Sequence, residues 1–539
     1  MIEATESNCV LLGYDKFGHP LYKAIATPKD KEQWLKLYKM PDRVIPVVFL
    51  PGVMGSNLMS PDGKSIWKVD GTWSMKSWLV RGAEERRKLL DPTKTVVDPS
   101  GKIEPESPEE RLLFSSRRER GWGEVGAMSY GTFLPWLQEA LNDNQTMLTN
   151  KTSKNGSLTL RERLLDKALG AETGESPLTT EEVALSYQYL FPVHAVGYNW
   201  LQSNMDSAQA LADRIEKIIG DYKASGRKCE KVILVTHSMG GLVARYYSEL
   251  LDGDFGKKNV LGIVHGVMPD RGAPMAYKRM KAGEAGPVGL VIGSSGGEMT
   301  PVLAQSPGPL QLLPGKGYGM GWFHVEGLQQ PLPHTDPYTE IYTQRSAWWG
   351  LCEERFINPV NKNMNKIQLE QDWQSYVDII DGKVRKFIEG IEGHYHEHTY
   401  AFYGNDGKNY PSYAELHWKD VSGKHTPKAY RSLVSEQGEV FYPADKFNQT
   451  IRYATLETPD QGYVTRKYEL LPPVEDGDGT VPVRAAVINS PKLKAQLGVG
   501  VDHEGAYKSD NTMDARWFTL RSIIRIAQQV KNTGLAYHE

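Results

Sequence analysis

The fold class this sequence predicts is α/β: a mainly parallel central sheet covered by helices on both faces, with large segments inserted above its strand ends. Three observations predict it. Short apolar runs alternate with helical patterns, a serine sits on an abrupt strand-to-helix turn, and long irregular segments interrupt the alternation.

The elements follow in order. VIPVVFL (44–50) reads as a buried strand that runs into the turn PGVMGSNL (51–58), and TFLPWLQEALND (132–143) has helical periodicity. FPVHAVGYNW (191–200) reads as a strand. SAQALADRIEKIIGDY (207–222) follows as a helix with Ala208, Leu211, Ile215 and Ile218 on one face. In KVILVTHSMGGLVARYY (231–247), Val232 to Val235 form a β-branched apolar run. From Gly241 the spacing of Leu242, Val243, Tyr246 and Tyr247 is helical, with Arg245 expected to point to solvent. VLGIVHGVM (260–268) supplies another strand. KIQLEQDWQSYVDIIDGKVRKFIEGI (366–391) looks helical, and sheet pattern resumes at HTYAFYG (398–404). A turn-rich, hairpin-like insertion at 405–465 precedes YELLPPVEDGDGTVPVRAA (468–486), and DARWFTLRSIIRIAQQV (514–530) closes the chain as an amphipathic helix. The core is therefore expected in 1–58, 131–144, 186–274, 396–404 and 466–539. The segments 59–130, 145–185, 275–395 and 405–465 are too long for bare loops and are expected to be inserted caps or lids.

Composition bounds the partners. In 539 residues, 63 Lys and Arg against 66 Asp and Glu leave a net charge of -3 with no basic block, which argues against nucleic acid. No apolar run approaches the length of a membrane span. MIEATESNCVLLGYDKFG lacks the basic start and apolar stretch of a signal peptide, which predicts synthesis and folding in the cytosol. Cys9, Cys229 and Cys352 lie far apart in no metal-like or redox-like spacing and read as buried free thiols. Many of the 13 tryptophans and 27 tyrosines fall in the inserted segments. Core packing is the default for most of them, yet their concentration there points to apolar surfaces around a pocket.

The serine at the turn, Ser238, is the chemical focus. A strand ending in serine and turning at once into a helix strains that residue, and Gly240 and Gly241 let helix and strand approach. The strain would hold the hydroxyl clear of the sheet and aim the Met239 amide, at the helix N-terminus, toward an incoming carbonyl oxygen. Thr236 stands where the G-x-S-x-G pattern has glycine. Read alone, the motif is a hypothesis, with an ordinary strand-turn-helix carrying an incidental serine as the competing reading.

A nucleophilic serine needs a base to take its proton and an acid to orient that base. Asp478, between two glycines in GDGTVP, can project from a strand-end loop, with Asp476 as the alternative. A plain Asp-Gly turn accounts for it as well in isolation. His503 in VDHEGAY lies in a loop before the last helix, where a surface histidine is the competing reading. The order serine, acid, histidine joins them. In PGVMGS, Gly52 and Gly55 allow a turn that leaves Met54, or its neighbour Val53, to present the second oxyanion-hole amide.

FLPGVMGSNL, THSMGGLVAR, GDGTVP and the late histidine resemble the lipase branch of the α/β hydrolases that includes lecithin-cholesterol acyltransferase and the GPI inositol deacylases. Within it, YNWLQSN (198–204), HGVMPDRGAP (265–274) and SPGPLQLLP (306–314) are similar to bacterial lipase effectors of type VI secretion. The resemblance implies an α/β-hydrolase fold, lipid-ester hydrolysis, Ser238, Asp478 and His503 in the triad positions, and Met239 and Met54 in the oxyanion positions. It also implies delivery from the cytoplasm by the type VI apparatus into a target cell's periplasm, with a cognate immunity protein and a secretion-apparatus component as partners. Membrane glycerophospholipid, cleaved at A1 or A2, is the expected substrate, because a large apolar cover suits an acyl chain drawn from a bilayer. The segments 59–130 and 275–395 are the expected cover. The competing readings are an intracellular or secreted carboxylesterase or acyltransferase of the same fold, and a catalytically dead scaffold.

Two further features stand out. His394, His396 and His398 alternate in GHYHEHTY, so a strand would put all three on one face as a metal site requires. No second ligand cluster accompanies them, and the expected chemistry needs no metal or organic cofactor. His237 is expected to pack near the pocket with its side chain directed away from Ser238, without acting as the base.

Overall fold

The computed structural model describes residues 10–14, 20–23, 41–71, 76–143, 158–251, 254–284, 289, 291–423, 438–441, 450–457, 462–508 and 513–537. Its centre is a six-stranded sheet of β1 (Val47–Leu50), β2 (Val193–Ala195), β3 (Val232–His237), β4 (Val260–Gly266), β5 (Thr399–Gly404) and β6 (Leu493–Val499). The spatial order is β6-β5-β4-β3-β1-β2, and every neighbouring pair is parallel. Seven helices place the site: α1 (Phe133–Leu141), α2 (Asn204–Ala224), α3 (Gly240–Glu249), α4 (Pro274–Ala282), α5 (Gly296–Leu303), α6 (Lys366–Ile379) and α7 (Met513–Ala527).

Strands covered on both faces must be apolar at successive positions. All residues of β3 and β4 are buried. On one face Val48, Leu50, Val232 and Leu234 pack with Leu211 and Ile215 of α2 and Leu242 and Val243 of α3. On the other, Val47, Phe49, Ile233 and Val235 pack with Phe133 and Leu137 of α1 and Phe518 and Ile523 of α7. The 21-residue α2 starts where the Ser203 hydroxyl accepts from the Met205 amide at 3.3 Å.

The expected strands and helices form at their predicted places, shortened or lengthened at their ends. The stretch 366–391 is helical throughout, with a π-helical turn at Ile380–Arg385. The strand β6 was not among the expected elements. Arg245 does not reach solvent: it is 1% exposed, pairs with Asp270 at 2.7 Å and donates to the carbonyls of Ile391 and His394. The chain at 391–395 covers that face of α3 and supplies what a buried guanidinium needs.

The hairpin-like insertion expected at 405–465 is part of a larger structure. Phe323–Val325, Leu416–Asp420, Tyr463–Leu470, Ile451–Glu457 and Gly438–Phe441 form a five-stranded sheet in that spatial order. The first pair is parallel and the rest antiparallel. This second sheet has its own core, in which Trp322, Trp348, Trp349, Trp373 and Trp418 pack with Tyr277, Tyr342 and Tyr468. Trp348 stacks on Tyr468 with ring centroids 4.3 Å apart. The concentrated aromatics thus pack in cores: Trp322, Trp348 and Trp349 here, and Trp67 and Trp78 with Trp200 beside the central sheet. Cys229 and Cys352 are buried free thiols, and Cys9 lies outside the described residues. Among the described residues no helix is long and apolar enough to cross a membrane.

Candidate active site

The carboxyl ends of a parallel sheet gather whatever follows each strand. Ser238 follows β3 directly, with φ of 51°, in the left-handed region that costs a non-glycine residue energy. Its amide donates to the Gly266 carbonyl at the end of β4 at 2.9 Å, which pins the strained turn. A Cβ on Gly240 would sit 2.5 Å from the Pro51 carbonyl oxygen, and one on Gly241 2.5 Å from Met268 Sδ. Gly240 is therefore a steric requirement of the close approach, since it meets backbone, whereas a side chain at Gly241 would have to displace Met268. Thr236, in the position where the pattern has glycine, is fully buried and its hydroxyl hydrogen-bonds His265 Nδ1 at 3.1 Å.

His503 lies in the loop after β6, and its Nε2 is 2.8 Å from Ser238 Oγ. Its Nδ1 is 2.8 Å from Asp478 Oδ2, while the Asp478 carbonyl accepts from the His503 amide at 2.8 Å. The other oxygen, Asp478 Oδ1, accepts from the amides of Thr480 at 2.9 Å and Val481 at 2.7 Å. An acceptor so held requires the imidazole proton on Nδ1 and leaves Nε2 to accept from the serine hydroxyl. Asp478 is seated against the end of β5, where a Cβ on Gly404 would lie 2.4 Å from Asp478 Cβ. The alternative acid, Asp476, is exposed and its Oδ1 accepts from the Gly407 amide at 3.0 Å.

Gly52 to Gly55 form a closed turn after β1, with the Gly55 amide donating to the Gly52 carbonyl at 3.0 Å. Met54 has φ of 63°, and its carbonyl accepts from Trp67 Nε1 at 2.9 Å. Met54 and Val53 both line a cavity beside Ser238 and His503. The Met239 side chain is buried beneath the elbow, and its carbonyl accepts from the Leu242 amide at the start of α3. The amides of Met239 and Met54 thus belong to the two turns that flank Ser238.

His237 is placed as expected, away from the serine. It lies between Tyr130 and the backbone of His503: its Nε2 is 2.7 Å from the His503 carbonyl oxygen and its Nδ1 2.9 Å from the Tyr130 hydroxyl. The carbonyl can only accept, so Nε2 carries the proton and Tyr130 donates to Nδ1. The Tyr130 oxygen in turn accepts from the Gly52 amide at 3.0 Å. Burial, and after it the adjacent His503, hold the His237 imidazole down at about 3, so it stays neutral. This chain of bonds ties the Gly52 turn to the backbone of His503. Tyr130 and Gly404 are the site residues sequence reasoning missed. Gly404 ends a strand where a glycine marks a close approach, the one signal available. Tyr130 sits in an irregular stretch with no motif.

The cavity over Ser238 is about 70 Å³ and is lined by Met275, Met299, Leu303, Leu310 and Leu312. Its polar wall includes Arg279, whose Nε is 2.8 Å from Glu284. Burial works to raise the Glu284 carboxyl, and Arg279 and Lys278 outweigh it, holding it at about 2. The alternating histidines do not share a strand. They precede β5, with His394 exposed and His396 Nδ1 accepting from the His398 amide at 3.1 Å.

A parallel sheet of this order, with serine, acid and histidine at its strand ends, is an α/β-hydrolase fold. Residues 198–281, which carry the serine elbow, match the family described as "PGAP1-like alpha/beta domain". The chain is also similar to a chain of "The crystal structure of Tle4-Tli4 complex", with 27% identity and a TM-score of 0.69. That likeness covers 90% of this chain and 98% of the other. No curated protein sequence matches the chain.

Proposed function

We propose that the protein is a serine lipase that cleaves membrane glycerophospholipid esters at A1 or A2. The observation that carries this reading is the run of two 2.8 Å contacts from Asp478 through His503 to Ser238, opening on an apolar cavity. Ser238 Oγ attacks the acyl carbonyl while His503 Nε2 takes its proton, and Asp478 holds the resulting imidazolium. The amides of Met239 and of Met54 or Val53 receive the oxyanion. His503 then protonates the leaving alcohol, and a water repeats the cycle on the acyl-serine.

A cavity of about 70 Å³ has room for roughly two waters, far short of a long acyl chain. The cover formed by α4 and α5 therefore moves when lipid enters. The helix Ala83–Leu89, from the segment 59–130, packs against α5 and is carried with it.

The type VI character comes from the motifs at 198–204, 265–274 and 306–314 and from the likeness to the Tle4–Tli4 structure. On that ground the protein is an effector, made in the cytoplasm and delivered by the type VI apparatus to the periplasm of a neighbouring bacterium. A second protein bound over the caps, in the manner of an immunity partner, would restrain it by blocking their opening.

The test is release of free fatty acid from phosphatidylethanolamine–phosphatidylglycerol vesicles. Release by the native chain and its loss in Ser238→Ala support the reading. Turnover of short soluble esters without release from vesicles contradicts the lipid substrate, and full release by Ser238→Ala contradicts the mechanism. Toxicity that requires an export signal and Ser238 supports the effector role, and harmless export of folded, active protein contradicts it.

A further inference from the structure

A cluster outside the active site has the chemistry of a transition-metal centre. His324 is the middle residue of the strand Phe323–Val325, and His417 lies on the parallel neighbour Leu416–Asp420. The two are register partners. Their flanking residues, Phe323 and Val325 on one strand and Leu416 and Trp418 on the other, are buried in the cap core. Alternation along each strand therefore turns both imidazoles to the outer face. The rings lie nearly parallel, 11° apart in plane with centroids 4.1 Å apart.

Both Nε2 atoms lie near one carboxylate oxygen, and His324 is hydrogen-bonded to it. Glu415 Oε2 is 2.9 Å from His324 Nε2 and 3.4 Å from His417 Nε2. The three ligand atoms all lie within 4.8 Å of one another. Tetrahedral zinc with bonds of about 2.0–2.2 Å needs ligand atoms roughly 3.3–3.5 Å apart, so small rotamer adjustments suffice. The side chains are 33 to 43% exposed, which gives an ion a path in and leaves a fourth position to water. The positive group on the wall is Arg484, whose Nη1 is 3.7 Å from the other oxygen, Glu415 Oε1.

We infer that His324, Glu415 and His417 bind a zinc-like divalent transition metal that staples the edge strand 323–325 to the cap sheet. Two imidazoles with one carboxylate suit zinc and disfavour calcium or magnesium, which take all-oxygen shells. The ion would also stiffen the approach to the acid loop. The Ala414 amide, next to Glu415, donates to Glu475 Oε2 at 3.2 Å, and the Ser412 hydroxyl accepts from the Gly479 amide at 2.9 Å.

The test uses the full, untagged, metal-stripped chain, titrated with zinc chloride in a calorimeter and with cobalt(II) in a spectrophotometer. One equivalent of zinc should bind with a Kd of roughly 10 µM or tighter, raise the thermal midpoint, and give tetrahedral cobalt bands. His324→Ala, Glu415→Gln and His417→Ala should each weaken binding by about tenfold or more and abolish the bands. His334→Ala, at an exposed histidine elsewhere in the cap, should change nothing. Ser238→Ala should bind zinc like the native chain, which separates this site from the proposed activity. Absence of saturable binding, or binding unchanged in folded His324→Ala and His417→Ala, overturns the inference.

Discussion

Gly404→Ala tests how tightly the acid is seated. Gly404 ends β5, and a methyl group there would lie 2.4 Å from Asp478 Cβ and 3.0 Å from its Cα. Carbon atoms in contact prefer about 3.5–4.0 Å, so either the strand end or the Asp478 loop must give by roughly 1 Å or more. The strand is held by β4 and β6 on both sides, whereas Asp478 is held by its loop. The loop is the part that moves. A 1 Å displacement of a positioned catalytic group costs about a hundredfold in rate, and overpacking costs about 1–3 kcal/mol of stability. The assay is kcat/KM on a short soluble ester, with folding checked by urea denaturation of the same preparation. A loss of about two orders of magnitude in kcat/KM, in protein that still unfolds cooperatively, is expected. A folded variant within about threefold of native activity would refute the claim that this contact seats the acid, since that is under 1 kcal/mol.

Other outcomes follow from the same geometry. Asp478→Asn should lower kcat by about 10³–10⁴, because an amide facing Nδ1 favours the wrong imidazole tautomer, while Asp476→Asn should stay within about threefold; kinetics on both decide which aspartate is the acid. Tyr130→Phe leaves the buried Gly52 amide and His237 Nδ1 without a common partner, so stability should drop by about 2–4 kcal/mol in urea and kcat by roughly tenfold as the Gly52 turn loosens. Burial holds His237, His265 and His396 down at about 3, while in the unfolded chain each titrates near 6.5. The unfolded state thus binds the extra protons, and stability falls as pH drops from about 6.5 toward 3, by up to about 1.4 kcal/mol per pH unit for each group. His265→Asn should flatten the slope of urea stability against pH by about that amount between pH 6 and 4; an unchanged slope would show that His265 is not held neutral.

The parts of the fold legible in the sequence were those whose causes are local. Val232 to Val235 followed by Ser238, Gly240 and Gly241 carry strand, strained turn and close-packed helix within ten residues. PGVMGS does the same for the second turn. Asp478 and His503 were legible as an order along the chain, but the seat of Asp478 was not. Its neighbour Gly404 lies across the whole inserted segment 405–465. The five-stranded sheet shows only its hairpin part in the sequence because its first pair joins residues 323–325 to 416–418, a non-local parallel pairing with no turn signal between them. The edge strand β6 carries a weak signal because Lys494, Gln496 and Gly498 break its apolar run, as edge positions often do. Arg245 was misplaced because helix periodicity tells which face a residue occupies, and not that the chain at 391–395 covers that face. The alternation of His394, His396 and His398 imitated a strand, while the metal-capable histidines, His324 and His417, lie on separate strands and meet only after folding.

Whether Ser238 is a nucleophile activated by His503 is decided by reaction with a fluorophosphonate followed by peptide mass spectrometry. In that reaction Oγ bonds to phosphorus and fluoride leaves. One adduct per chain is expected, on Ser238, formed rapidly in the native protein and slowed by several orders of magnitude in His503→Ala. No adduct on folded protein, or an adduct on Ser238 formed equally fast without His503, would contradict this assignment.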